Sequence, residues 1–324
     1  MPDELELLRR ANPVRDDGPY FGDGPLDQCA ERRLERLLRQ PGPTRRVPRA
    51  RLLWGLAATG VVLATAFAAL VGGPDPQPAL AAPRPLTVRA DSTPVPLTRL
   101  AERAATAAAD GSPRLRKGTH VQSWSLSMTD GKPPVTLPEE RVVRWRADDS
   151  HTELVVATDP RRPGRPVVTD EGGDPRLVAD GHVLSRVTYP PSWSDAPPAA
   201  PPPHTPGALR AYLAESVRTD SPGTPQLLDG VEELLDHWTL GARESAALVR
   251  VLADAKGLRP AGQVTDRLGR PGQAYVYEGR GGRRMLILDP RTGTVLGLET
   301  TFTRDAPEYG VKAGDVMDYS AWMR

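Results

Sequence analysis

Residues 52–71 read LLWGLAATGVVLATAFAALV, twenty positions without a charged side chain. A helix rises ~1.5 Å per residue, so the run covers roughly 30 Å, the hydrocarbon thickness of a bilayer. Four arginines crowd the N-terminal flank (Arg45, Arg46, Arg49, Arg51), whereas the first basic residue beyond the run is Arg84. That asymmetry orients a single span, with residues 1–51 in the cytoplasm and everything after Gly72 outside. Trp54 falls where an interfacial aromatic belongs. A buried core helix is the competing reading, and flanks so unequal in charge argue against it. A cleaved signal peptide is another. Ala79-Leu80-Ala81 suits a peptidase, but the apolar core is too long and begins far from the N-terminus. The expectation is an uncleaved anchor in the cell membrane, with an extracytoplasmic C-terminal domain.

The anchor divides the 324 residues into unequal parts. The cytoplasmic piece, 1–51, is too small for a confident core of its own, while the exported remainder can bury one. The 42 Lys+Arg stand against 41 Asp+Glu, so no net field points to nucleic acid. The only cysteine, Cys29, lies on the cytoplasmic side, so an intramolecular disulfide is impossible and the exported domain relies on its core and hydrogen bonds.

Within the cytoplasmic piece, Asp27 to Gln40 reads as an amphipathic helix. Leu26, Ala30, Leu34, Leu37 and Leu38 form its apolar stripe, Arg and Glu occupy the other face, and Pro41 ends it. So small a unit offers little to bury that stripe against. The helix is either a partner-binding helix or one that folds on binding, and the competing reading is a partly disordered tail lying near the membrane.

Beyond the span, seven prolines between Gly72 and Leu97 predict an extended spacer over 72–96. The rest, 97–324, reads as an α+β domain: a helix over 97–109, strands over 119–128, 141–147 and 151–158, a hairpin around the Asp180-Gly181 turn, three helices near 206–217, 225–238 and 243–256, then a meander with strands near 262–266, 273–278, 283–288 and 294–303. Period-two alternation, as in Ser123, Ser125 and Ser127 against Trp124, Leu126 and Met128, predicts an antiparallel sheet with one wet face. Helix 225–238 is expected to bury Leu227, Leu228, Val231, Leu234, Leu235 and Trp238, and to leave the acidic run Glu232, Glu233, Asp236 in water.

The segment ALRAYL, the helices after it, and the run VTDRLGRPGQAYVYEGRGGRRMLILDPRTGTVLGLE ending in DYSAW resemble a family of actinobacterial single-pass membrane proteins often encoded beside extracytoplasmic-function sigma factors. The resemblance implies an anti-sigma-like regulator that holds a sigma factor through residues 1–51, and it brings no catalytic residues. The element order is also similar to the half-barrel of bacterial lipoprotein carriers, an analogy of fold alone. Zinc-binding anti-sigma factors need His and paired Cys in the cytoplasm. Residues 1–51 hold no His and one Cys, so a zinc switch is not expected.

No nucleophile elbow, P-loop, metalloprotease or dinucleotide fingerprint occurs, and the five histidines are scattered, with His182 and His237 read as solvated. No catalytic, cofactor or metal residues are expected. Gly279–Arg283 and Asp289–Gly293 read as turns. Trp124 and Trp145 would line an apolar ligand cavity if both faced a concave sheet, and otherwise are core. Two functions follow: a transmembrane regulator whose outer domain senses a signal, or a membrane-anchored binding module for a lipid or other apolar ligand.

Overall fold

Residues 285–288, Met-Leu-Ile-Leu, are apolar at every position, which a strand tolerates only where both its faces are covered. The computed structural model describes residues 83–129, 132–194, 199–279 and 282–324, which fall in one unit, Pro74–Arg324. The expected span 52–71, the helix 27–40 with its stripe Leu26, Ala30, Leu34, Leu37 and Leu38, and the first part of the spacer lie outside the described residues. Among the described residues no helix is long and apolar enough to cross a membrane.

The first half of the domain runs α1 (Leu97–Ala107), β1 (Arg116–Lys117), β2 (His120–Ser127), β3 (Val135–Trp145), β4 (His151–Ala157), β5 (Val167–Thr169), β6 (Arg176–Val178) and β7 (His182–Tyr189). A helical layer follows: α2 (Pro206–Ser216), α3 (Thr224–His237), the short β8 (Trp238–Thr239) and α4 (Ala242–Ala253). The chain closes with β9 (Arg259–Thr265), β10 (Pro271–Gly279), β11 (Gly282–Leu288), β12 (Val295–Thr301) and β13 (Val316–Trp322). The architecture is α+β, as expected.

Nine strands form one antiparallel sheet in the order β7-β4-β3-β2-β13-β12-β11-β10-β9. Two meanders are thus joined at the middle by β2 and β13, the first long strand and the last, with Trp124 opposite Tyr319. The sequence reading had no strand over 316–322, so the central seam is a correction to it. The Asp180-Gly181 turn forms, with Gly181 at φ +81°, but it is not a hairpin. β6 pairs with β5, and β7 pairs with β4.

Alternation sends Leu286 and Leu288 to one face, under the helices, with Leu298, Tyr275, Leu100, Leu228 and Leu252. Met285 and Ile287 go to the other face, with Trp124, Tyr319 and Val264. Burying such a side chain stabilises the fold by roughly 1.5–3 kcal/mol. α2 and α3 cross closely because Gly230 carries no side chain; a Cβ there would sit 3.2 Å from the Leu213 carbonyl oxygen.

Two expectations are corrected here. Residues 83–95 of the expected spacer are docked on the domain: Leu86 and Val88 cover the second face, the Leu86 amide donates to Glu299 Oε1 at 2.8 Å, and the Arg89 amide donates to the Gln263 carbonyl at 2.9 Å. With helices on one side and this segment on the other, β12 and the run Met285–Leu288 of β11 have no wet face. In β2 the serines share the helix-side face with Val121 and stay at least partly in water, Ser125 exposed, so there the alternation holds as expected.

Candidate functional site

The loop DPRRPGRP between β4 and β5 sets three arginines close together, and its root is tied down. Gln122 Nε2 donates to the Thr158 carbonyl at 2.9 Å, and Asp180 accepts from Thr158 Oγ1 at 2.6 Å and from the Gly164 amide at 2.7 Å. Those hydrogen bonds, Thr158 first, hold the Asp180 carboxyl below the usual range. The loop and the β5–β6 ribbon overhang the sheet and enclose a cavity of about 300 Å³.

Its floor is Trp124 of β2 with Thr136 and Pro138 of β3, three residues on one face because Trp124 is opposite Pro138 and Leu126 opposite Thr136. Val167, Val168 and Leu177 supply apolar wall, and Arg161, Arg162 and Arg165 the rim. Trp124 is 1% exposed, tilted against Tyr319 at 5.6 Å between centroids, with the Arg161 guanidinium 4.8 Å above its ring. Asp159, also buried, takes two hydrogen bonds from Arg161 at 2.9 and 3.0 Å and lies 3.5 Å from Arg162. Burial pushes its carboxyl up, and the Arg161 hydrogen bonds and charge outweigh that, so it stays ionised well below the usual range. One carboxylate against three guanidiniums leaves the rim positive. An apolar pocket with a few convergent polar groups is the usual form of a small-ligand site.

Trp145 does not share this cavity. Along β2 and β3 the pairing is regular, so Pro138, with Trp124, and Trp145 point to opposite faces of the sheet. Trp145 stacks on His151 at 4.0 Å, His151 on Tyr189 at 4.6 Å, and Tyr189 on Trp193 at 4.1 Å, a ladder that clamps β3, β4 and β7 together.

The acidic run of α3 is not simply a wet face. Arg284, from β11, donates to Asp229 at 2.5 Å and to Glu232, while Arg141 of β3 donates to the Asp236 carbonyl at 3.0 Å and to Glu153 at 2.6 Å. Burial, with Asp318, Asp236 and Asp229 adding and Arg284 opposing, pushes the Glu232 carboxyl up to about 7. Burial raises Asp236 and Asp318 too. His237, read as solvated, is mostly covered and lies 3.1 Å from Glu233, and His182 lies 3.2 Å from Glu171. β10 and β11 pair as far as Gly279 opposite Gly282, and Asp289 Oδ1 accepts the amides of Arg291 and Thr292, as turn chemistry requires. Among the described residues no cluster of three metal-ligating side chains occurs.

Nothing in the sequence reading singled out the loop over 159–166. Its alternation of one acid with three arginines was the available signal. No family model matches the chain, and no curated protein does. Among solved structures it is similar, at 13% and 12% identity, to the dehydratase domain from the CurK module of Curacin polyketide synthase and to an inactive mutant of that dehydratase. Each comparison covers 72% of this chain and 82% of the other at a TM-score of 0.11, too low to speak for fold or activity.

Proposed function

We propose that this chain is a single-pass membrane regulator, anchored by residues 52–71, whose extracytoplasmic domain binds a small, largely apolar ligand in the cavity over Trp124. In this reading the cytoplasmic residues 1–51 hold a sigma factor on the apolar stripe Leu26, Ala30, Leu34, Leu37 and Leu38. The unbroken apolar run and its arginine flank support the topology. A broad antiparallel sheet carrying its helices on one face supports a half-barrel of the lipoprotein-carrier kind. The observation that carries ligand binding is the 300 Å³ space itself, walled by Trp124, Val167, Val168 and Leu177 in a region where the neighbouring sheet is close-packed.

Two experiments test the two halves. Native mass spectrometry of the purified full chain is expected to show a small apolar adduct that Val168→Arg removes; an adduct that persists in Val168→Arg, or none at all, overturns the ligand site. Affinity capture with residues 1–51 as bait is expected to retrieve a sigma factor and to fail with Leu34→Asp/Leu38→Asp. Retrieval of none leaves the domain a binding module whose tail is only an anchor.

A further inference from the structure

A second cavity, of about 370 Å³, opens where β2 begins and β3 ends, between the β1–β8 ribbon and the segment Met323–Arg324. Five basic residues line it, Arg116, Lys117, His120, Arg144 and Arg324, and no Asp or Glu does. Two of the five are matched from outside: Lys117 Nζ lies 3.1 Å from Asp149 Oδ1 and 3.3 Å above the Trp145 ring, and His120 hydrogen-bonds Glu140. Arg324 donates to Thr294 Oγ1 at 2.9 Å. Arg116 and Arg144 pair with no carboxylate among the described residues.

The positive charge is therefore unbalanced, and one guanidinium registers it. Burial first, then the charge of Arg116, holds the Arg324 guanidinium below its ordinary range, with Asp289 opposing. Like charges converging on a half-enclosed space are unfavourable unless an anion completes the set. The backbone beside the space is closely packed. Gly118, at φ +101°, has no room for a side chain, since a Cβ would stand 2.3 Å from the Val143 carbonyl oxygen. Its amide and carbonyl are engaged by the His237 carbonyl and Thr239 Oγ1, which fixes β1 beside β8 and so fixes where Arg116 and Lys117 stand.

We infer that this cavity is an anion site, in which Arg116, Arg144 and Arg324 bind the oxygens of a phosphoryl or polycarboxylate group. Guanidinium forks match such oxygens two at a time, and arginine rather than lysine supplies most of the donors here. The cavity volume suits a group the size of pyrophosphate or citrate, either free in solution or carried as the headgroup of an acidic lipid. The inference is independent of the Trp124 cavity, with which this one shares no lining residue.

The test is calorimetric titration of the full chain in zwitterionic detergent with pyrophosphate and with citrate at low salt. Saturable binding is expected with at least one of them, weakening as salt rises, together with a higher unfolding midpoint in its presence. Arg116→Gln/Arg144→Gln, both exposed positions, is expected to keep its ligand-free midpoint and to weaken binding at least tenfold. Val168→Arg, at the other cavity, is expected to bind the anion as the parent does. No heat with either anion, or binding undiminished in the double variant, overturns the inference. Short-chain phosphatidylglycerol that displaces pyrophosphate, where short-chain phosphatidylcholine does not, assigns the site to a headgroup; no displacement assigns it to the free anion.

Discussion

The two halves of the sheet are stabilised differently. In β10–β13 both faces carry fully buried side chains: Tyr275, Leu286, Leu288 and Leu298 are at 0% exposure under the helices, and Met285, Ile287 and Tyr319 are at 0–1% on the other side. In β4 and β7 hardly a position is buried, and Val183 and Val187 are 44% and 39% exposed. What holds that wing is polar and aromatic: the ladder Trp145–His151–Tyr189–Trp193 and the Arg141–Glu153 pair. Both cavities touch the half that is less well filled, at β3 and at the loop between β4 and β5. Close packing is thus concentrated in one half, although a third space, of about 360 Å³, lies against it beside Leu296 and Trp322.

Leu298→Ala should break the comparison most severely. The residue is at 0% exposure between β11 and β13, so the lost methyls leave a cavity that the close-packed layer cannot collapse. A loss of about 2–5 kcal/mol is expected in urea unfolding. A loss below about 1 kcal/mol would mean that the central strands are no better packed than the wing.

How much of this was legible follows the same division. The apolar stripe of α3 identified its share of the core, because hydrophobic periodicity is local. The strand Val316–Trp322 escaped, since Asp318 and Ser320 interrupt its pattern. They are tolerated because they face Ser125 and Ser123 across the seam, with Thr300 and Leu298 on the other side. Likewise Glu232 looked like a solvated helix face, and only the fold brings Arg284 and Asp318 beneath it. The Asp180-Gly181 pair was a strong hairpin signal, yet β6 pairs with the upstream β5, and that choice depends on the loop that Asp180 ties down. Polar groups that satisfy one another across the fold leave no trace in the periodicity of either segment.

The buried carboxylates give the next effect. Glu232 has a folded-state pKa of about 7 against an ordinary 4.5, so between those values the native state binds more protons than the unfolded chain. Stability contributed by this group therefore falls as pH rises from about 4.5 to 7. Glu232→Gln removes that slope. The difference between parent and variant, which cancels the other carboxyls, should grow in favour of the variant by on the order of 1 kcal/mol across the window. A flat difference would place Glu232 in water, as the helix pattern alone suggests.

On the wing, Tyr189→Leu removes the middle rung between His151 and Trp193. Aromatic pairs are worth about 0.5–1.5 kcal/mol beyond their buried area, so amides of β4 and β7 should exchange several-fold to tenfold faster while those of β11 and β12 keep their protection. Equal acceleration in both halves would show that the wing is not a separately opening unit.

The smallest effect belongs to Val187, and it separates packing from pairing. β7 is an edge of the nine-stranded sheet, and Val187 is 39% exposed opposite Glu153. Val187→Lys should leave the unfolding midpoint within about 0.5 kcal/mol of the parent, since little apolar contact is lost. An edge with exposed valines is also where two copies can pair strand to strand, and a lysine there opposes that pairing. Sedimentation at high protein concentration is therefore expected to show less self-association in Val187→Lys, with stability unchanged. A large loss of stability instead would mean that the outer face of the wing is packed as tightly as the centre, and the contrast between the two halves of the sheet would fail.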